Sequence, residues 1–162
     1  EILRFHGFQL HASAVMLDGK AYLFSAPSGT GKSTHTEKWC RLFGARILND
    51  DKPVLRRTDG VWTVYGTPWS GKNDLSCPVG VPLGGIAFLN RGEVNEIFPI
   101  APMKAVPAIL RECMQFSHKG CANRQLELVD LLLQETPIWQ LFCRNDDEAA
   151  MVSYEAMKNG SK

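Results

Sequence analysis

Residues 26–33 read Ala26-Pro27-Ser28-Gly29-Thr30-Gly31-Lys32-Ser33, and Thr34 follows. This stretch fits the phosphate-binding P-loop pattern, except that alanine replaces the usual first glycine. The two glycines let backbone N–H groups curl around phosphate oxygens, the lysine can reach the β and γ phosphates, and the serine hydroxyl can ligate Mg²⁺. The pattern therefore predicts binding of a nucleoside triphosphate with Mg²⁺. The expected binding residues are Ser28, Gly29, Thr30, Gly31, Lys32, Ser33 and Thr34.

The segments on either side of this loop have the patterns of a strand and a helix. Residues 21–25 form a short apolar and aromatic run after a turn signal, which is typical of a buried strand. Residues 33–43 have a helical pattern, and Gly44 is placed to cap it in a left-handed conformation. Strand, loop and helix would point the positive end of the helix dipole at the phosphates.

Composition limits the remaining possibilities. The chain has 162 residues, 44% of them hydrophobic, and a formal net charge of +1. These values predict one domain over residues 1–162, and they give no indication of a nucleic-acid partner or a membrane partner. The sequence begins at Glu1 rather than at methionine, as a piece of a longer chain would.

Five cysteines, an odd number without a Cys-x-x-Cys pair, favour a reduced, cytoplasmic protein. Cys113, His118 and Cys121 lie close in sequence, but a structural zinc site needs four ligands and usually closer pairing. The sequence identifies no interaction partner for His6, His35 or His118.

Two acidic residues follow the short predicted strand 45–48. Asp50 and Asp51 come directly after Asn49, and ligands of open α/β sheets bind outside the carboxyl ends of strands. If this strand lies beside the strand that precedes the P-loop, both carboxylates face the phosphates. One could then hold Mg²⁺, with Asp50 the expected ligand alongside Ser33, and the other could accept a proton from an attacking hydroxyl. The alternative is that the pair caps a turn before Lys52.

The sequence predicts several further strands and helices, most of which have no assigned function. Strand 8–16 should pair across Asp18-Gly19 with strand 21–25, which brings His11 near the P-loop strand. In the loop 66–73, Lys72 could touch phosphate and Trp69 could stack on a ligand, or Trp69 could simply lie in the core. The remaining predictions are a hairpin of 53–57 and 61–65, strands 85–89, 94–100 and 137–143, helices 103–114 and 124–135, and a last helix opened by an acidic cap at 145–148.

Three of these motifs together resemble a known family. His11-Ala12-Ser13-Ala14-Val15, the loop from Ala26 to Ser33, and Leu48-Asn49-Asp50-Asp51 look like the catalytic domain of HPr kinase/phosphorylase. That fold is related to the nucleotide-binding part of phosphoenolpyruvate carboxykinase. The family places a histidine fifteen positions before the P-loop, as His11 stands before Ala26. It also places an Asp pair on the strand after the P-loop helix, which Asp50 and Asp51 match.

The resemblance implies an α/β fold with a P-loop in a mixed β-sheet flanked by helices. It also implies Mg²⁺-ATP binding, an Asp acting as general base on a hydroxyl, and a His that tunes this proton transfer. The sequence has no counterpart of the family's Arg-Pro-Gly-Arg-Asn stretch, so HPr itself is not the expected acceptor. The hexamers of that family make a homo-oligomer an expectation to test.

The favoured hypothesis is an ATP-dependent kinase that transfers the γ-phosphoryl group to a hydroxyl of a protein serine or of a small molecule. Its catalytic residues would be Asp50, Asp51, His11 and Lys32. A nucleotide-binding or nucleotide-hydrolysing regulatory module without kinase chemistry is the first alternative. A structural α/β domain with a relic loop is the second.

Overall fold

The computed structural model describes residues 1–68 and 76–160. The predicted contacts of Trp69 and Lys72 fall outside these ranges. In chain order the described elements are a 3₁₀ helix (Ile2–Phe5), β1 (Gly7–Gln9), β2 (Ala12–Leu17), β3 (Lys20–Ser25), α1 (Lys32–Phe43), β4 (Arg46–Asn49), β5 (Val54–Thr58), β6 (Val61–Tyr65), β7 (Gly80–Arg91), β8 (Glu96–Pro99), α2 (Pro102–Glu112), α3 (Lys119–Glu135), β9 (Ile138–Cys143) and α4 (Asp147–Asn159).

The strands form a mixed, curled sheet in the order β1-β5-β6-β7-β3-β2-β4, and β9 pairs with both β7 and β8. Strand β7 connects the two parts of this sheet. Its start runs antiparallel to β6, and the rest runs parallel to β3 and β9. The predicted mixed α/β fold is therefore confirmed.

Helices cover both faces of the sheet. One core contains Ile109 of α2 and Leu132 of α3, and the other contains Trp39 of α1 and Met157 of α4. All four side chains are essentially inaccessible to solvent. Within the described ranges, no helix is long and apolar enough to cross a membrane.

Most of the turns that the sequence predicts are present in the structure. Strands β2 and β3 pair as expected, with Asp18 and Gly19 at positive φ in the turn. Gly44 ends α1 at φ 72°, a left-handed value that glycine adopts without steric cost. The hairpin β5–β6 turns through Asp59 and Gly60 alone, one residue fewer than predicted, because Thr58 still pairs with Val61.

The prediction of one continuous strand over 8–16 is wrong. Strand β1 pairs with β5, whereas β2 pairs with β3, so the chain changes partner strand between Gln9 and Ala12. At this break, the Leu10 N–H donates to the Pro53 carbonyl, and the His11 N–H donates to the Glu112 carbonyl. Both sides of the break alternate in the same way, so hydrophobic periodicity could not reveal it.

Candidate functional site

A glycine loop, residues 26–31, connects β3 to α1. Gly29 has φ 80° and Gly31 has φ 115°, values that L side chains rarely adopt. The Thr30 hydroxyl donates to the Pro27 carbonyl at 2.8 Å, which tightens the loop. The structure thus has the predicted order of strand, glycine loop and helix, with α1 beginning one residue earlier than expected, at Lys32.

Lys32 is buried at the first position of α1. Its Nζ donates to the Ala26 carbonyl at 2.7 Å, which closes the loop on itself. Burial lowers the pKa of this ammonium, and the carboxylates of Glu112 and Asp51 oppose that shift. The ammonium therefore lies where two acidic groups act on it.

Strand β4 is not a neighbour of β3, so one condition of the sequence prediction is wrong. Strand β2 lies between them and is antiparallel to both. Two strands antiparallel to a common neighbour run in the same direction, so β3 and β4 end at the same edge of the sheet. The glycine loop and the pair Asp50 and Asp51 both follow that edge, as predicted, with β2 starting between them.

His11 lies between two carboxylates at this edge. Its Nδ1 is 2.8 Å from Glu112 Oε2, and its Nε2 is 3.4 Å from Asp51 Oδ1. Its own backbone is held as well, because its N–H donates to the Glu112 carbonyl and its carbonyl accepts the Ser25 hydroxyl. The ring is therefore fixed in position through both the side chain and the main chain.

The two aspartates differ in accessibility. Asp50 is buried, whereas the Asp51 side chain is 29% exposed. Asn49 Oδ1 accepts the N–H groups of both Asp51 and Lys52, and Asn49 Nδ2 donates to the Thr67 carbonyl. It is therefore Asn49 that caps the turn before Lys52. The Asp51 carboxylate instead contacts the His11 ring and Lys52.

The other predicted residues lie at the helix end of the loop. Ser33 and Thr34 are half-buried in the first turn of α1, and Ser28 is exposed in the loop. Within residues 1–68 and 76–160, no three His, Cys, Asp or Glu side chains are arranged to hold a metal ion. Mg²⁺, however, commonly takes only one or two protein ligands and completes its shell with phosphate oxygens and water. The hard oxygens of Ser33 and Asp50 fit that requirement.

A cavity of about 450 Å³ opens beside the loop. Its lining residues include Gly29, Thr30, Thr34 and His35, together with Arg91 and Arg144. The Arg91 guanidinium donates to the Gly29 carbonyl at 2.7 Å. This cavity is large enough for part of a nucleotide.

Sequence reasoning missed Glu112, whose side chain is only 8% exposed. It stands at the end of α2, 101 residues from the histidine that it contacts. No motif or periodicity marks such a pair. The importance of Ser25 and Asn49 was also missed, although each ends a predicted or observed strand.

The expectation of partnerless histidines is wrong at two positions. His6 Nδ1 lies 2.7 Å from the Arg124 guanidinium, and His35 Nε2 lies 2.9 Å from the Ser153 hydroxyl. Burial lowers the pKa of His35 to about 3. Burial also raises the pKa of the Cys113 thiol to about 12, which disfavours the thiolate that zinc would need.

The fold resembles that of the HPr(Ser) kinase/phosphatase from Coxiella burnetii. The two structures superpose with a TM-score of 0.53 at 11% sequence identity, over 94% of this chain and 89% of the other. This likeness shows a shared HPr kinase-like fold.

The family model described as SynChlorMet cassette protein ScmC matches residues 1–136. The match covers most of the chain, so the protein belongs to the ScmC family. No curated protein sequence matches it significantly.

Proposed function

We propose that this protein transfers the γ-phosphoryl group of Mg²⁺-ATP to a hydroxyl group of an acceptor. The observation that carries the proposal is the contact between His11 and Asp51 at the edge of the sheet where the glycine loop begins. A glycine loop alone indicates phosphate binding. A carboxylate next to a fixed histidine at the same edge adds the means to move a proton.

The glycine loop, residues 26–31, and Lys32 form the donor half of the proposed site. Gly29 and Gly31 hold the positive φ values that let successive backbone N–H groups face one anion. The Lys32 ammonium leaves the Ala26 carbonyl and binds the β and γ phosphates. Ser33 and Asp50 would hold Mg²⁺, which neutralises phosphate charge when bound.

Asp51 is the proposed general base because it is the more exposed of the two aspartates and contacts His11. The acceptor hydroxyl oxygen forms a bond to the γ-phosphorus, and the bond from that phosphorus to the β–γ bridging oxygen breaks. The hydroxyl proton passes to Asp51, and ADP leaves. Positioning and charge stabilisation supply most of the catalysis in such transfers.

His11 and Glu112 act on this base. Glu112 accepts the Nδ1 hydrogen, so the Nε2 side of the ring faces Asp51. Ser25 and the Glu112 carbonyl fix the main chain of His11, which keeps the ring at the same distance from the carboxylate. The histidine thus supports Asp51 as the base and is not itself proposed to bind the phosphates.

Asp51→Asn tests the proposal, with water serving as the acceptor in place of the natural substrate. We expect Mg²⁺-dependent release of phosphate from ATP to fall at least about 100-fold, while the affinity for Mg²⁺-ATP is kept. Asp59→Asn is the matched control, because Asp59 lies in the β5–β6 turn and asparagine tolerates its positive φ. A screen of hydroxyl-bearing proteins and metabolites with γ-labelled ATP extends the test to the true acceptor.

Full hydrolysis and full transfer by Asp51→Asn would remove Asp51 from the mechanism. Tight Mg²⁺-ATP binding with neither hydrolysis nor transfer in the wild-type protein would instead indicate the nucleotide-sensing alternative.

A further inference from the structure

A second cavity, of about 480 Å³, lies at His11 on the acceptor side of the proposed site. Its walls include His11, Glu112, Lys52 and Arg111, together with Gln9 and Met114. Its volume falls within the range of small-molecule sites, about 300–1,000 Å³. The donor half of the proposed site uses none of these side chains.

A smaller cavity lies between the same residues and the glycine loop. Arg111 and Glu112 also line this cavity of about 110 Å³, which Ser25, Ala26 and Pro27 close at the end of β3. The two cavities therefore adjoin at Arg111 and Glu112, and the smaller one lies at the start of the loop. His11 and Lys52 line the larger cavity and contact Asp51, so a hydroxyl group of a molecule held there would lie near that carboxylate.

The charges of the cavity favour an anion. The Glu112 carboxylate is nearly buried and already accepts the His11 Nδ1 hydrogen. Lys52 is half exposed, and its Nζ is 3.8 Å from Asp51 Oδ2, a distance that leaves it free to bind a second anion. Arg111 is exposed and makes no ion pair with any residue in the described part of the chain. A guanidinium and an ammonium so placed suit a carboxylate or a phosphate.

We propose that this cavity binds the phosphoryl acceptor, and that the acceptor carries a carboxylate or phosphate a few bonds from its reactive hydroxyl. Arg111 and Lys52 bind the anionic group, which turns the hydroxyl towards Asp51. The reaction is the one given above: the hydroxyl oxygen bonds to the γ-phosphorus, its proton goes to Asp51, and ADP leaves. This inference rests on the proposed function and adds the chemical class of the acceptor.

Two kinds of molecule offer this chemistry, and matched pairs of probes separate them. The first pair is glycerate and its neutral analogue glyceramide. The second pair is a short peptide with serine between two aspartates and the same peptide with asparagines in their place. Each probe is incubated with the protein and γ-labelled Mg²⁺-ATP. For each pair, the labelling rate of the acidic member is divided by that of the neutral member.

We expect an acidic-to-neutral ratio well above one for at least one pair. Arg111→Gln and Lys52→Gln should each lower that ratio about tenfold or more, because each removes a charge-assisted hydrogen bond. The matched controls are Arg46→Gln and Lys104→Gln, exposed cations that do not line the cavity. These controls should keep the wild-type ratio.

If the neutral member of each pair is labelled as fast as the acidic member, the inference is overturned and the proposed function still stands. An acidic preference that survives in both Arg111→Gln and Lys52→Gln would have the same consequence. Mg²⁺-ATP binding without labelling of either acidic probe also counts against an anionic acceptor. Failure of Mg²⁺-ATP to bind at all would instead defeat the proposed function, and calorimetry of the wild-type protein identifies that case.

Discussion

His11 and His35 show how the same side chain serves two different purposes near one loop. His11 is partly exposed at the edge of the sheet, between the carboxylates of Glu112 and Asp51. His35 is buried on α1, against the Phe24 ring and the Ser153 hydroxyl. Each histidine lines a cavity, but the hydrogen-bond partners of His11 are charged, whereas His35 contacts a neutral hydroxyl and an aromatic ring.

The hydrogen bonds around His35 indicate which ring nitrogen donates. The Ser153 hydroxyl donates its single hydrogen to the Ala150 carbonyl, so it can only accept from the Trp39 indole and from His35 Nε2. His35 Nε2 therefore carries a hydrogen, and burial, which lowers the pKa of the ring to about 3, keeps the ring neutral. The contrast teaches that burial and partner chemistry, not residue type, decide whether a histidine can exchange protons.

The largest expected effect concerns His11→Gln. Glutamine can still donate to Glu112, but its amide does not replace the imidazole ring beside Asp51, so we expect phosphoryl transfer or ATP hydrolysis to fall about 100-fold. The free energy of unfolding, measured in urea, should change by less than about 1 kcal/mol, because the site is partly exposed. The opposite pattern, lost stability with normal activity, would make His11 a structural residue like His35.

The pH dependence of stability tests His35. Its pKa in the folded protein is about 3, below the ordinary value of 6.5, so the unfolded chain takes up a proton first as the pH falls. This contribution is complete above pH 6.5 and is lost as the pH falls towards 3. As the pH falls from roughly 7 to 5, the free energy of unfolding should therefore decrease by about 2 kcal/mol because of His35.

His35→Gln removes that titration while keeping a donor for Ser153. The free energy of unfolding of the variant, measured in urea, should therefore fall by about 2 kcal/mol less than that of the wild type over the same pH interval. An identical loss in both proteins would show that His35 is not held neutral.

Glu112→Gln removes the charge that orients His11 but keeps the shape of the side chain. We expect kcat to fall about tenfold with KM for ATP unchanged, since Glu112 acts through the histidine and not on the nucleotide. Glu127→Gln, an exposed acid on α3, is the control. A rise in KM for ATP instead of a fall in kcat would place Glu112 in nucleotide binding.

The smallest effect is expected at the cap of the helix that carries Ser153. Asp146 accepts the Ala149 N–H at 3.0 Å, so Asp146→Ala should lower the unfolding free energy by about 1 kcal/mol. Asp146→Asn keeps a capping oxygen and should cost less. Urea unfolding of both variants measures the difference.

The sequence predicted the parts of this molecule that depend on short stretches of chain. The glycine loop needs Gly29 and Gly31 at positive φ, the β2–β3 turn needs Gly19, and Asp146 caps its own helix, as its position before α4 indicated. Each of these signals lies within a few residues of the structure that it specifies. The mixed sheet with flanking helices followed from the family resemblance.

What the sequence did not predict depends on contacts between distant residues. Glu112 meets His11 only because α2 ends beside the start of β2, and β4 pairs with β2 instead of β3 because the chain folds back across the sheet. Residues brought together in this way share no spacing that a pattern could detect. The partner of His35, which is Ser153 on α4, was missed for the same reason.

Titration calorimetry of Mg²⁺-ATP tests the central claim, that the edge of the sheet with Lys32 and the glycine loop binds the phosphoryl donor. The wild-type protein should bind, Lys32→Ala should lose at least about tenfold in affinity, and Lys20→Ala, a lysine at the opposite end of β3, should retain it. Urea unfolding of Lys32→Ala confirms that the variant is folded. Equal affinities in all three proteins, or no binding by the wild type, would contradict the account.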